Sequence, residues 1–345
     1  MEDHMKALIF DEHQLLQMKD VPKPEIKKNN DVLIKVKATG ICGTDIHILK
    51  KDYPAKSGII LGHESSGIVE EVGSSVTNVK LGDRVILDPT YHCGICFYCQ
   101  NDLPNYCVEK HHTETGVSHD GTFAEYHVVD ASFLHRLPEE MSFEEGTLTE
   151  PLACVLNALR QTRIRPEFRV LVVGAGPLGL LFGLATKFMG CEVTIGDVSS
   201  YRIQQAQELF PEVQDYSKSD LLSLNSERRF DLIIDTSGKS LELLIKVIDR
   251  GGDILVAGLD YTFQAKISPS YLTDNGIRII GSIDSNLTFA PAIKMLKQHK
   301  EFKKIITHTF SLEEYGQAFH LLGLDLQTGQ RGEIMGNKVV INPGI

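Results

Sequence analysis

Cys93, Cys96, Cys99 and Cys107 are spaced C-x2-C-x2-C-x7-C within YHCGICFYCQNDLPNYC. Thiolates at these intervals can close around one tetrahedral zinc ion and leave no coordination position open, the arrangement of a structural metal. An iron–sulfur cluster and a degenerate loop are the two other readings of such a run. A structural zinc here organises a lobe over residues 91–109 and names no reaction.

A second set of residues suits a nucleotide. Gly174, Gly176 and Gly179 form GAGPLG, directly after the apolar run RVLVV and directly before a helical pattern. The first glycine permits a tight turn, the second lets backbone approach a pyrophosphate, and the third lets helix and sheet pack closely. The helix N-terminus then faces the phosphates. Pro177 suits the first helical turn, where its missing N–H is not needed. Asp197 closes the next strand, EVTIGD. A carboxylate there accepts from both ribose hydroxyls and repels a 2′-phosphate, which favours NAD over NADP. Asp197 also reads as a helix cap ahead of Ser199 and Ser200, and Arg202 as either a neighbour of the adenosine ribose or a solvated helix residue.

A third set is scattered. Cys42 lies in TGICGTDIH, His63 in LGHESSG and Glu150 in LTEPLAC. One thiolate, one imidazole and one carboxylate would make a catalytic zinc site with a fourth position open. Taken singly, Cys42 also reads as core, His63 as a satisfied loop histidine and Glu150 as a helix-start carboxylate. Spacing alone does not join them.

The elements that must position these groups change character near residue 150. Before it come short strand-like runs broken by turns: VLIKVKAT at 32–39, GIVEEVG at 67–73, DRVILDP at 83–89 and TFAEYHVV at 122–129. Such a pattern predicts a β-barrel-like domain. After it, RVLVVG, EVTIGD, FDLIIDT, GDILVAG and IRIIGS alternate with helical stretches, as parallel strands covered on both faces do. The last run, NKVVINP, suits a strand that returns to the first domain. A chain of 345 residues exceeds one comfortable core. The expected division is 1–150, then 151–285, then 286–345 completing the first domain. The formal charge of -11 argues against a nucleic-acid partner. No apolar run reaches membrane-spanning length, and MEDHMKALIF lacks the basic and apolar regions of a signal peptide. With seven cysteines placed mostly as metal ligands, the chain reads as cytoplasmic and reduced. Cys154 and Cys191 read as buried small apolar residues.

CGTDIH at 42–47, GHESSG at 62–67, the cysteine lobe, DGTFAEY at 120–126, TEP at 149–151 and GAGPLG at 174–179 occur in one order. In that order the chain resembles the zinc-dependent medium-chain alcohol dehydrogenase superfamily, and within it the sorbitol and threonine dehydrogenase-like branch. The resemblance implies an α/β protein: a GroES-like catalytic domain, a Rossmann-fold parallel sheet that binds NAD, and catalytic zinc in the cleft between them. It implies two zinc ions per chain, Cys42 and His63 as catalytic ligands, and Glu64 and Glu150 as further ligands, direct or through water. Asp45 matches a carboxylate that orients the zinc histidine, and Thr44 and His47 match a proton relay. Leu178, Asp197 and Arg202 match cofactor contacts, and Ala257, Gly258, Leu259, Gly281, Ser282 and Ile283 match backbone around the nicotinamide.

By the same resemblance the reaction is hydride transfer between NAD and a secondary alcohol, a polyol or sugar alcohol with or without a phosphate, in a homotetramer or dimer. Ile48 stands where sorbitol dehydrogenases usually carry a substrate-facing tyrosine, and SIDSNLTF after Gly281 lacks their arginine–tyrosine pair. Threonine 3-dehydrogenase and 2,3-butanediol dehydrogenase are the alternative activities, and a zinc-stabilised NAD-binding regulatory protein is the non-enzymatic one. Lys110, His111 and His112 read as a solvated loop that could otherwise steer an anionic substrate.

Overall fold

Strand Asp31–Gly40 is buried along almost its whole length because it is paired on both edges. One edge takes Glu64–Val72, in register from Val32 opposite Val72 to Gly40 opposite Glu64. The other takes Tyr126–Asp130 near its start and Lys338–Asn342 at its end. Strands from near the start and from the very end of the chain therefore share one sheet. A computed structural model describes residues 4–12, 15–218, 221–223 and 230–344, so the first three residues of the N-terminal segment lie outside it.

The chain divides into two compact units, Met1–Ala153 with Ser285–Ile345, and Cys154–Asp284. Among the described residues of the first, a sheet runs in the order Ile306–Ser311, Lys338–Asn342, Asp31–Gly40, Glu64–Val72, Arg84–Leu87 and Leu134–Arg136. Its apolar side chains, among them Val32, Ile34, Val36, Val69 and Val85, form one core. A hairpin, His4–Asp11 with Leu15–Pro22, pairs with Ile59–Ile60 and covers a second core that includes Leu8, Ile48, Phe123 and Phe319. The expected strand at 122–129 begins only at Tyr126. Phe123 is instead wholly buried, its ring edge-on to Phe319 at 6.2 Å.

The second unit holds parallel strands in the order Glu212–Asp215, Glu192–Asp197, Arg169–Val173, Phe230–Asp235, Ile248–Val256 and Arg278–Gly281. Numbered along the chain, that is 3-2-1-4-5-6, the doubly wound order of a dinucleotide-binding sheet. Its central strands are runs of Val, Leu and Ile buried on both faces, as a parallel sheet between helices requires. Glu212–Asp215 was not expected from the sequence. Its four residues, EVQD, hold one apolar side chain, because an edge strand is covered less than a central one. Among the described residues no helix is long and apolar enough to cross a membrane.

Candidate active site

Cys42 follows the strand Asp31–Gly40 and stands in extended conformation at the start of helix Gly43–Leu49. Its backbone N–H donates to Asp45 Oδ2 at 2.9 Å, and the other oxygen of that carboxylate accepts from Gly62 N–H at 3.3 Å. Asp45 is wholly buried and so ties the segment carrying Cys42 to the one carrying His63 and Glu64. Candidate ligand atoms of Cys42, His63 and Glu64 all lie within 4.8 Å of one another. Glu150, in the first turn of helix Thr149–Arg160, stands outside that trio. Its charge nevertheless acts on both His63 and Lys338.

Burial alone would push the His63 imidazole down, yet the Cys42 thiolate, with Asp45 and Glu150, holds it well above its ordinary value. Burial pushes the Asp45 carboxyl up, against the pull of His63. Both shifts are upward, and both come from charged groups facing one another away from water. One thiolate, one imidazole and carboxylates are a donor set that suits zinc with a position open to a further ligand. Thr44 Oγ1 lies 3.6 Å from Cys42 Sγ. His47 is one helical turn beyond Thr44, with Nδ1 3.6 Å from Asp52 Oδ2.

The sequence reading missed Lys338. It is 2% exposed, pairs its ammonium with Glu64 Oε2, and donates to the carbonyl of Ile41 at 3.1 Å. The signal available was a lysine beginning an otherwise apolar strand, and that pattern ordinarily means a solvated end.

The four-cysteine lobe is built differently. Sγ of Cys96 lies 3.5 Å from that of Cys99 and 3.9 Å from that of Cys107, and Cys93 and Cys99 are 3.9 Å apart. A tetrahedron of Zn–S bonds of about 2.3 Å has edges of about 3.8 Å. The cluster thus has the spacing that suits a single ion among four sulfurs. Backbone N–H groups of Cys99 and Val108 hold the Cys96 thiol down at about 6. Burial and the Cys96 sulfur push Cys99 up to about 12. Beyond the lobe, Lys110 is buried within the short helix Lys110–Thr113 and not solvated as expected; His111 and His112 are exposed.

In the second unit every predicted cofactor residue lies at the carboxyl ends of the parallel strands or in the helices that follow. Gly174 takes φ +103°, a conformation that strongly favours glycine, and Gly179 packs against its carbonyl. Pro177 opens the helix Pro177–Phe188, with Leu178 in its first turn. Asp197 is buried at the end of Glu192–Asp197 and is not the cap of the next helix, a role taken by Ser199. Its Oδ2 accepts from Ala175 N–H at 2.7 Å, inside GAGPLG, and its Oδ1 from Val198 and Ser199 N–H. Arg202 Nη1 is 3.8 Å from Asp197, and the guanidinium stands over Gly176. Ala257 and Gly258 donate to the carbonyl of Asp235 at 2.9 Å, leaving Leu259 half exposed beyond them. Gly281 ends the edge strand, Ser282 Oγ accepts from Gln161 at 2.8 Å, and the carbonyl of Ile283 accepts from Asn157. This edge of a doubly wound sheet is where a dinucleotide binds.

Residues 28–139 match the alcohol dehydrogenase GroES-like domain family and residues 177–298 the zinc-binding dehydrogenase family. A sorbitol dehydrogenase of Halalkalibacterium halodurans is 32% identical over 332 residues, 92% of this chain and 96% of that protein. A zinc-binding dehydrogenase-type protein from Sinorhizobium meliloti, solved with NADP bound, superposes with TM-score 0.89 at 26% identity over 99% of this chain and 100% of that one. The alcohol dehydrogenase rspB of Escherichia coli, complexed with NADH, does so with TM-score 0.89 at 27% identity over 99% and 100%. With a thiol–imidazole–carboxylate cluster, a four-cysteine lobe and a doubly wound sheet in one chain, the protein belongs to the zinc-dependent medium-chain alcohol dehydrogenase superfamily.

Proposed function

We propose that the protein is an NAD(H)-linked dehydrogenase interconverting a secondary alcohol, of the polyol or sugar-alcohol class, and its ketone. The observation that carries this reading is the gathering of Cys42, His63 and Glu64 within 4.8 Å, in a chain that also carries Asp197 and GAGPLG on one sheet edge. Cys42, His63 and Glu64, with Glu150 beside them, would hold the catalytic zinc, and Cys93, Cys96, Cys99 and Cys107 the structural one. When bound, zinc supplies a Lewis acid that acidifies an alcohol, and NAD supplies the hydride acceptor.

The chain's own groups do the rest. Asp45 fixes the relative position of the ligand segments through two backbone N–H groups. Thr44 takes the hydroxyl proton on its Oγ1 and hands it outward, and His47, whose type exchanges protons near neutrality, releases it to solvent. Asp197 holds the adenosine ribose and, by its charge, disfavours a 2′-phosphate, so NAD is the expected cofactor. Asp197 supports NADH, the cofactor bound in the rspB structure, over the NADP of the Sinorhizobium meliloti one. The sorbitol dehydrogenase relative supports a polyol, while Ile48 and the missing arginine–tyrosine pair point away from sorbitol itself.

The test is NADH production by the zinc-loaded protein over four- to seven-carbon polyols, their phosphates, L-threonine and 2,3-butanediol, with NADP+ run in parallel. Preference for a polyol with NAD+ is the expected result. Preference for L-threonine or butanediol would overturn the substrate class. Silence with only one zinc bound would overturn the enzyme reading.

A further inference from the structure

Three adjacent strands meet where Lys338 begins its strand. Gly40 lies opposite Val340 on one edge and opposite Glu64 on the other. Lys338, two residues before Val340, shares its face of the sheet. Its side chain therefore has to cross the end of the Gly40 strand to reach Glu64. Gly40 leaves that path open. A methyl group there would sit 2.6 Å from Lys338 Cε and collide with Glu64 Oε2.

The two partners of the ammonium are informative. Ile41, whose carbonyl accepts from it, directly precedes Cys42, and Glu64 directly follows His63. Asp45 already joins the same two segments through Cys42 N–H and Gly62 N–H. The Gly62–Glu64 segment is thus tied to the Cys42 segment on both flanks, by an anion on one and by a cation on the other. Charge leads to the same place. A bound dication offsets two of the four negative charges that Cys42, Asp45, Glu64 and Glu150 can carry, and Lys338 offsets a third. A buried ion pair is in general a poor source of stability, so stability alone does not account for one placed here.

We propose that Lys338 is a positioning residue for the catalytic metal, holding Oε2 of Glu64 and the Ile41 carbonyl so that Cys42 and His63 stay at a fixed separation and at most one oxygen of Glu64 remains for the ion. The inference rests on the dehydrogenase reading above and names a residue that reading does not use.

The experiment is zinc competition against a chromophoric chelator on the full chain, wild type beside Lys338→Met and Lys338→Arg, with far-UV circular dichroism as the folding control. Lys338→Met should weaken the more labile zinc by about 10–100-fold, the range found when a group that orients a metal ligand is removed. The zinc of the four cysteines should keep its affinity, and Lys338→Arg should restore most of the loss, since its guanidinium can grip the same carboxylate. Unchanged zinc affinity in Lys338→Met would overturn the proposal. Should the lone substitution unfold the chain, Glu64→Gln and Glu64→Gln/Lys338→Met replace it, because neither leaves a buried carboxylate unpaired. A further drop in the double variant is expected, because the hold on the Ile41 carbonyl goes with the ammonium, and equal zinc affinity in those two would overturn the proposal. A wild type that binds one zinc would sink the dehydrogenase reading instead.

Discussion

The two candidate metal clusters of this chain are opposites in construction. Cys93, Cys96, Cys99 and Cys107 lie within one short stretch, with Cys99 in a four-residue helical turn and Cys96 and Cys107 at the ends of short turns. Ile95 and Phe97 beside them are 78% and 71% exposed. The other cluster draws Cys42, His63, Glu64 and Lys338 from separate strand ends and buries Glu64 and Lys338 almost completely. In the first, little core holds the lobe, so a bound metal would organise the protein. In the second, sheet register and buried charges hold the candidate ligands, so the protein would organise a metal rather than depend on it.

The comparison can be broken at either cluster. Cys42→Ser should reduce turnover by several orders of magnitude and leave NADH binding, followed by fluorescence titration, as in the wild type. An equal loss of cofactor affinity would mean that the nucleotide and metal sites are not separate. Cys96→Ser should release one zinc, measured by metal analysis, and lower Tm by roughly 5–10 °C, about what loss of a few kcal/mol means for a chain of this size. The same variant should keep the zinc at Cys42. Unchanged metal content would refute the structural role. The smallest effect lies outside both clusters. Asp197→Ala should weaken NAD about tenfold, or about 1.4 kcal/mol, and narrow its advantage over NADP, read from KM for each cofactor. Unchanged cofactor kinetics would remove Asp197 from the ribose site.

Much of the fold was legible because burial writes itself into runs of residues. RVLVV and FDLIID are covered on both faces, and each reads as a strand without help. EVQD at Glu212–Asp215 did not, since an edge strand needs no apolar run. The start of Tyr126–Asp130 was misplaced because Phe123 and Ala124 are as buried as strand residues are, though only Ala124 makes a bridge, to Ala7. The buried environment of Lys110 was likewise invisible, since a lysine in a polar run reads as solvated.

By itself the sequence determined the four-cysteine lobe, the glycine turn with Asp197 after it, and the alternation that makes a parallel sheet. Each is a local pattern, in which neighbours along the chain are neighbours in space. Only the tertiary structure decided that Cys42, His63 and Glu64 converge while Glu150 stands just outside them, and that Lys338 reaches Glu64 from 274 residues away. That convergence depends on which strand lies beside which and in what register, and strand pairing is a property of the whole sheet rather than of any segment in it.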